Sequence, residues 1–408
     1  MISSGQHLEP SDYDVVVIGS GIQGAGVAQI CALNQLKVLL LEQFTVGSQT
    51  SSRSSKLIHG GLRYLENWQW GLVRECLRER KILLNIASDL VKLVPFYIPV
   101  YKETSRSPFI IRSGLSLYAV LGGLSSDCRF RKVPGSNWDQ LQGLETDQLE
   151  AVYQYHDGQT DDLLLTRAVA DSAVEYGAEL MENTQFTGAQ ISDTRLQLQY
   201  QSGSTTRSCT TKLIVNASGP WINQVIQKIT PSPPEQKISL VQGAHIVVDY
   251  PLNNKIFYLE APQDKRAVFA MPWKGKSLVG TTETTYFGDP AQVKPFEDEL
   301  VYLKSVFSKY FPVSKNSRVL ESFAGLRVLP SEGENLFKKS RETHIAFDNK
   351  DNPRVISICG GKLTAYRHNA ELIYKSIAGV LCESDHKDLS TKEIKLRKPS
   401  AYIYRHTL

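Results

Sequence analysis

No run in this 408-residue chain approaches the roughly 18 apolar residues that a membrane-spanning helix needs. The longest uncharged stretch, residues 113–126, is glycine-rich and too short to span. The opening MISSGQHLEPSDYD has no apolar segment of the kind a secretory signal carries, so none is expected. The six cysteines (31, 76, 128, 209, 359 and 382) include no C-x-x-C pair. They read as reduced and structural, in a cytoplasmic protein, and no metal site is expected. Repeats and low-complexity segments are missing too. Neither sign of charge dominates: 46 Lys and Arg stand against 42 Asp and Glu, a net +4. That slight excess suits an anionic small molecule or a membrane surface and gives no reason to expect nucleic acid. The length predicts two domains or one large two-part unit.

What is present begins with YDVVVIGSGIQGAGVAQICALNQLKVLLLEQ. Val15 to Ile18 form a β-branched run suited to a strand buried on both faces. Gly19, Gly21 and Gly24 follow as G-x-G-x-x-G, and a helix through Ala25, Gly26, Ala28 and Ala32 is small enough to lie close to a sheet. A second strand, Val38 to Leu41, ends in Glu42 and Gln43. Gly19 permits the sharp turn, Gly21 lets a pyrophosphate touch the backbone at the helix N-terminus, and Gly24 permits helix–strand packing. Glu42 is placed to accept from ribose hydroxyls. The pattern predicts a dinucleotide site. It does not separate NAD from FAD.

The chain then departs from the usual alternation with TSSRSSKLIHGGLRYLE, residues 50–66. This crossing is too polar for a core strand and too rich in serine for a good helix start. Its small hydrogen-bonding residues suit wrapping a large polar ligand. The segment resembles the signature of FAD-dependent glycerol-3-phosphate dehydrogenases, within the wider group of flavoprotein oxidoreductases similar to D-amino acid oxidase. Six further segments follow in family order: YHDGQTDDLLLT (155–166), IVNASGPWINQV (214–225), VQGAHIVV (241–248), MPWKGKSLVGTTE (271–283), FAGLRVLP (323–330) and ICGGKLTAYR (358–367).

Elsewhere the strand–helix alternation fails. Short, partly alternating runs such as HIVVDYPL, KIFYLEA and RAVFAMPW read as an antiparallel sheet. In residues 296–312, Leu300, Leu303, Phe307 and Tyr310 form a core-facing helical stripe. The expected fold is α/β: a discontinuous Rossmann-like FAD-binding domain (12–91, 154–233, 342–382) with an inserted antiparallel-sheet α+β substrate domain (92–153, 234–341). A short basic tail, 383–408, stands where the family carries a helical C-terminal domain. Gly360 and Gly361 are expected to open the final helix.

The resemblance implies non-covalent FAD, held by Gly19, Gly21, Ile22, Gly24, Glu42 and Gln43. It adds Thr50, Ser51, Ser52, Ser54, Ser55 and Lys56 from the crossing. His59, Gly60 and Gly61 lie under the flavin, with the two glycines leaving room for the ring. Ala217, Ser218 and Gly219, then Gly361, Lys362, Leu363 and Thr364, complete the set. A phosphorylated polyol needs cations, and arginine offers a bidentate fork. Arg63, Tyr64, Arg327, Arg341 and Lys362 are the substrate candidates.

The implied reaction is oxidation of sn-glycerol 3-phosphate to dihydroxyacetone phosphate by hydride transfer to FAD, with quinone as the onward acceptor. His245 is the candidate base. Arg327, too basic to accept a proton, orients and stabilises charge. Lys362 supplies positive charge beside the flavin. Alternatives are an oxidase that uses O2, an oxidoreductase of another 2-hydroxy acid, and a non-catalytic flavin protein. The same reading leaves room for a homodimer and for peripheral contact with the inner face of the cytoplasmic membrane. Residues 107–132, an apolar stretch among basic residues, are either that contact or a packed helix.

Overall fold

The computed structural model describes residues 11–331, 343–382 and 388–399. Two sheets organise it. The first centres on Ser11–Ile18, flanked by Val38–Leu41 and Thr205–Asn216, all parallel. Val15, Val16 and Val17 are fully buried, as a strand covered on both faces requires. The helix Ile22–Leu33 lies between the helices Asp162–Glu175 and Tyr366–Leu381. Its small residues make this contact close: a Cβ on Gly26 would stand 2.9 Å from the Tyr366 ring. Val355–Cys359 adds a further parallel strand on Thr205–Asn216.

The second sheet has ten strands. Its centre pairs Ile238–Val248 with Val319–Pro330 and with Lys276–Gly280, all antiparallel. The one parallel pair among the described strands of this sheet joins Ile256–Glu260 to Val91–Tyr101. Leu57–Ile58 pairs with Leu149–Thr160, so the crossing after Thr50 carries the chain from the first sheet into the second. The helix Glu297–Tyr310 packs Leu303, Phe307 and Tyr310 into the second core, with Leu300 partly buried, following the stripe.

Two expectations change. The final helix opens at Tyr366, not at Gly360. Gly360 and Gly361 have φ of +75° and +100°, a left-handed backbone that cannot start a right-handed helix, and the chain stays in a loop through Thr364. The apolar stretch after Ser107 forms a helix, Pro108–Leu121, that both packs and projects. Ile111, Leu115 and Tyr118 are buried, whereas Phe109, Ile110 and Val120 are exposed. Arg341 lies outside the described residues. Of the tail, residues 388–399 are described, and Leu396 is buried with its N–H on the Ile86 carbonyl at 2.7 Å.

Candidate active site

A continuous cavity of about 410 Å³ runs between the two sheets. Its first end is the glycine turn. Gly19 sits at φ +100°, and a Cβ on Gly24 would stand 1.9 Å from the Gly19 carbonyl oxygen. Both glycines are therefore needed by the turn itself. Gly21 faces the cavity, next to the N-terminus of the helix Ile22–Leu33. Glu42 is buried and accepts from the Ser20 N–H (2.9 Å), the Ser20 hydroxyl (2.8 Å) and the Phe44 N–H (2.9 Å). Gln43, Ala217, Ser218 and Gly219 line the same end.

The serine-rich crossing holds itself in place. Ser51 Oγ accepts the Ile22 N–H at 2.9 Å, and Thr50 Oγ1 donates to the Leu326 carbonyl at 2.9 Å. The Ser54 N–H and hydroxyl both bond Asp162, at 3.0 and 2.6 Å. Lys56 was expected at the cofactor but is turned away. It is 5% exposed, and its Nζ bonds Asp162 at 2.5 Å and the Ser52 carbonyl at 2.9 Å. Breaking a buried pair like this is costly, so Lys56 fixes the loop from behind. Ser52 donates to the Gln49 carbonyl and, like Gly24, lies off the cavity wall.

His59 and Gly61 line the cavity, but Gly60 does not. A Cβ on Gly60 would meet the Tyr118 hydroxyl at 2.5 Å and Leu77 at 2.7 Å, so the room it leaves is taken by protein. Its N–H donates to Tyr118 Oη, which donates to Asp157, which Arg80 grips at 2.6 Å. A Cβ on Gly61 would fall 2.2 Å from the Tyr64 ring. Lys362 Nζ lies 3.5 Å from the centroid of that ring and 3.8 Å from Cys76 Sγ. Arg63, Leu363 and Thr364 also line the cavity, and Thr364 Oγ1 accepts the His59 N–H at 3.2 Å.

The far wall comes from the second sheet. Val241 pairs with Arg327 and His245 with Phe323, so the two candidate residues lie four register positions apart, on one face. Glycines make room for both. A Cβ on Gly280 would stand 2.1 Å from the His245 ring, and one on Gly243 would stand 2.7 Å from Arg327 Nη2. His245 is 2% exposed, its Nε2 lies 3.0 Å from Ser55 Oγ, and it stacks on Phe323 at 5.1 Å. Nδ1 has no hydrogen-bond partner among the described residues. Burial, then Lys56 and Arg327, pull the imidazole pKa well below its ordinary range. Arg327 donates to Glu283 at 3.2 Å and to Thr281 Oγ1 at 3.1 Å.

The family model for FAD dependent oxidoreductase (DAO) matches residues 14–367. The chain belongs to that family. FAD is its cofactor, and the turn fits it: Gly21 lies on the cavity wall at the N-terminus of the helix Ile22–Leu33, whose backbone N–H groups would hold a pyrophosphate. The chain is 36% identical over 373 residues to D-erythritol 1-phosphate dehydrogenase of Brucella abortus, covering 89% of this chain and 73% of that one. It is 37% identical over 368 residues to glycerol-3-phosphate dehydrogenase of Pseudomonas aeruginosa, covering 88% and 70%. The crystal structure of the Bacillus halodurans glycerol-3-phosphate dehydrogenase with FAD superposes at a TM-score of 0.73. It is 27% identical, with 94% of this chain and 68% of that one covered.

Four residues that the sequence reading passed over brace or line the flavoprotein's cavity. Asp157 and Asp162 lay inside YHDGQTDDLLLT; both are buried and brace the crossing from behind, through Arg80 and Tyr118 and through Lys56 and Ser54. Arg266 and Glu283 line the cavity as well.

Proposed function

We propose that this chain oxidises the secondary hydroxyl of a phosphorylated polyol, first of all sn-glycerol 3-phosphate, giving dihydroxyacetone phosphate. One observation carries the reading: Arg63, Tyr64, Arg327 and Lys362 gather on the same cavity as His245. A dianionic phosphate is held by Arg63 and Lys362 through charge-assisted hydrogen bonds. His245, neutral in its buried site, accepts the carbinol proton at Nε2, where Ser55 stands on the cavity wall. Arg327, anchored on Glu283 and Thr281, orients the carbinol oxygen and stabilises negative charge on it. FAD, when bound, supplies the hydride acceptor. The test is anaerobic mixing of the holoenzyme with glycerol 3-phosphate and, separately, D-erythritol 1-phosphate. Loss of the visible flavin absorbance is expected. A flavin that stays oxidised with both would refute the reading.

The electrons pass on to quinone at a membrane surface. No helix among the described residues is long and apolar enough to cross a membrane. Contact from one side is supported by Trp68 (79% exposed), Trp70, Phe109 (77% exposed), Ile110 and Leu124. They lie on neighbouring elements, since the helix Pro108–Leu121 packs against the turn Leu62–Asn67 and the helix Trp70–Ile86, and the Trp68 and Trp70 rings meet at 5.5 Å. Arg112 and Arg129, both exposed, add charge for anionic headgroups. The protein should sediment with anionic vesicles and come off in high salt. Trp68→Glu with Phe109→Glu should abolish sedimentation while dye-coupled activity persists. Unchanged sedimentation would move the contact elsewhere.

A further inference from the structure

Residues 281–284, Thr-Glu flanked by threonines, alternate in what they touch. Thr282 Oγ1 donates to Glu299 at 2.7 Å and accepts the Ala244 N–H at 2.8 Å. Thr284 Oγ1 donates to the same Glu299 oxygen at 2.8 Å. Glu299, on the first turn of the helix Glu297–Tyr310, is itself buried and takes Gln242 Nε2 at 2.5 Å. The even residues are thus bolted to the helix. The odd ones, Thr281 and Glu283, lie in the link between the strands Lys276–Gly280 and Thr284–Tyr286 and face the cavity. Glu283 stands between two arginines: Arg327 meets one oxygen at 3.2 Å, and Arg266 is ion-paired with the other. The Glu283 side chain is 9% exposed, and Arg266 also lines the cavity.

A carboxylate can only accept hydrogen bonds. On a cavity wall it selects hydroxyl donors and repels a phosphate or a second carboxylate. The flanking arginines fix its plane, and Thr282, Thr284 and Glu299 keep the segment that carries it from turning it away. We propose that Glu283, held between Arg266 and Arg327, is a specificity residue that reads the free hydroxyl end of the polyol. The substrate then enters with its phosphate toward Arg63 and Lys362 and its hydroxyl end toward Glu283. This rests on the phosphorylated-polyol reading above and adds the polarity with which the substrate lies.

The test compares glycerol 3-phosphate with propane-1,2-diol 1-phosphate, which keeps the secondary hydroxyl and lacks the terminal one. The native holoenzyme should favour glycerol 3-phosphate by roughly ten- to a hundredfold in kcat/KM, the size of one charge-assisted hydrogen bond. In Glu283→Ala that preference should shrink to about threefold or less, with the loss concentrated on glycerol 3-phosphate. Glu283→Gln, which keeps the shape and the loop contacts, should give an intermediate ratio. Flavin content and thermal midpoint show whether each variant is folded. A native enzyme without preference overturns the proposal by itself. Parallel losses on both compounds, with the ratio kept, make Glu283 only a counter-ion and overturn it too. Flavin reduction by neither compound in the native enzyme overturns the polyol reading along with it.

Discussion

Gly21→Val should fold normally and purify colourless. The two neighbouring glycines could not be tested this way, because a Cβ at Gly24 strikes the Gly19 carbonyl and Gly19 itself has a left-handed backbone. At Gly21 the nearest atom to a new Cβ is Ser51 Oγ, 3.1 Å away, and a side-chain hydroxyl can shift by the few tenths of an ångström required. The remaining methyl groups enter the cavity beside the helix N-terminus. There they displace the pyrophosphate from the backbone N–H groups that would hold it. Overpacking of this kind costs up to about 3 kcal/mol, roughly a hundredfold in FAD affinity. Native circular dichroism with no visible flavin absorbance is the expected pair of readings. Full flavin occupancy would remove Gly21 from the cofactor site. FAD released intact by denaturing the native protein checks that it is held without a covalent bond.

His245→Ala should slow flavin reduction by about 10²- to 10⁴-fold while leaving substrate affinity nearly unchanged. The pH dependence gives the sign. Burial and two neighbouring cations depress the His245 pKa, so the ring is neutral and able to accept a proton throughout the neutral range. In the native enzyme kcat/KM should therefore hold steady near neutrality and fall only as pH drops through that lowered pKa. Without the imidazole that acid limb should vanish. Stopped-flow reduction across pH reads both effects. A variant that reduces flavin at the native rate but binds substrate weakly would make His245 a binding group, and the base would have to be sought elsewhere on the wall.

The strand–turn–helix–strand at the start was legible because its contacts are local. Glycine spacing and a β-branched run specify it within about thirty residues. The crossing at residues 50–66 was legible as a polar ligand-wrapping loop, but not in its wiring. Lys56 looks like a ligand cation in sequence, and its partner Asp162 stands 106 residues away. Gly60 reads as space for a ring, yet that space belongs to Tyr118, 58 residues on. Such pairings depend on how one element docks on another, which no local pattern encodes. Glu283 did leave a trace. Threonines stand on either side of it just after Gly280, more hydrogen-bonding groups than a solvent-facing link needs, and some of them required a buried partner.

The cavity takes its walls from both sheets: Gly19 and Ala217 from the first, His245 and Arg327 from the second. A molecule seated there touches two layers that otherwise meet through their own cores, so it acts as a rivet. By mass action each tenfold rise in free FAD above its dissociation constant adds about 1.4 kcal/mol to the folded state. The working life of the chain is thereby tied to vitamin supply. Molecules without flavin should then be the ones that open most often, and limited proteolysis should remove that inactive fraction first.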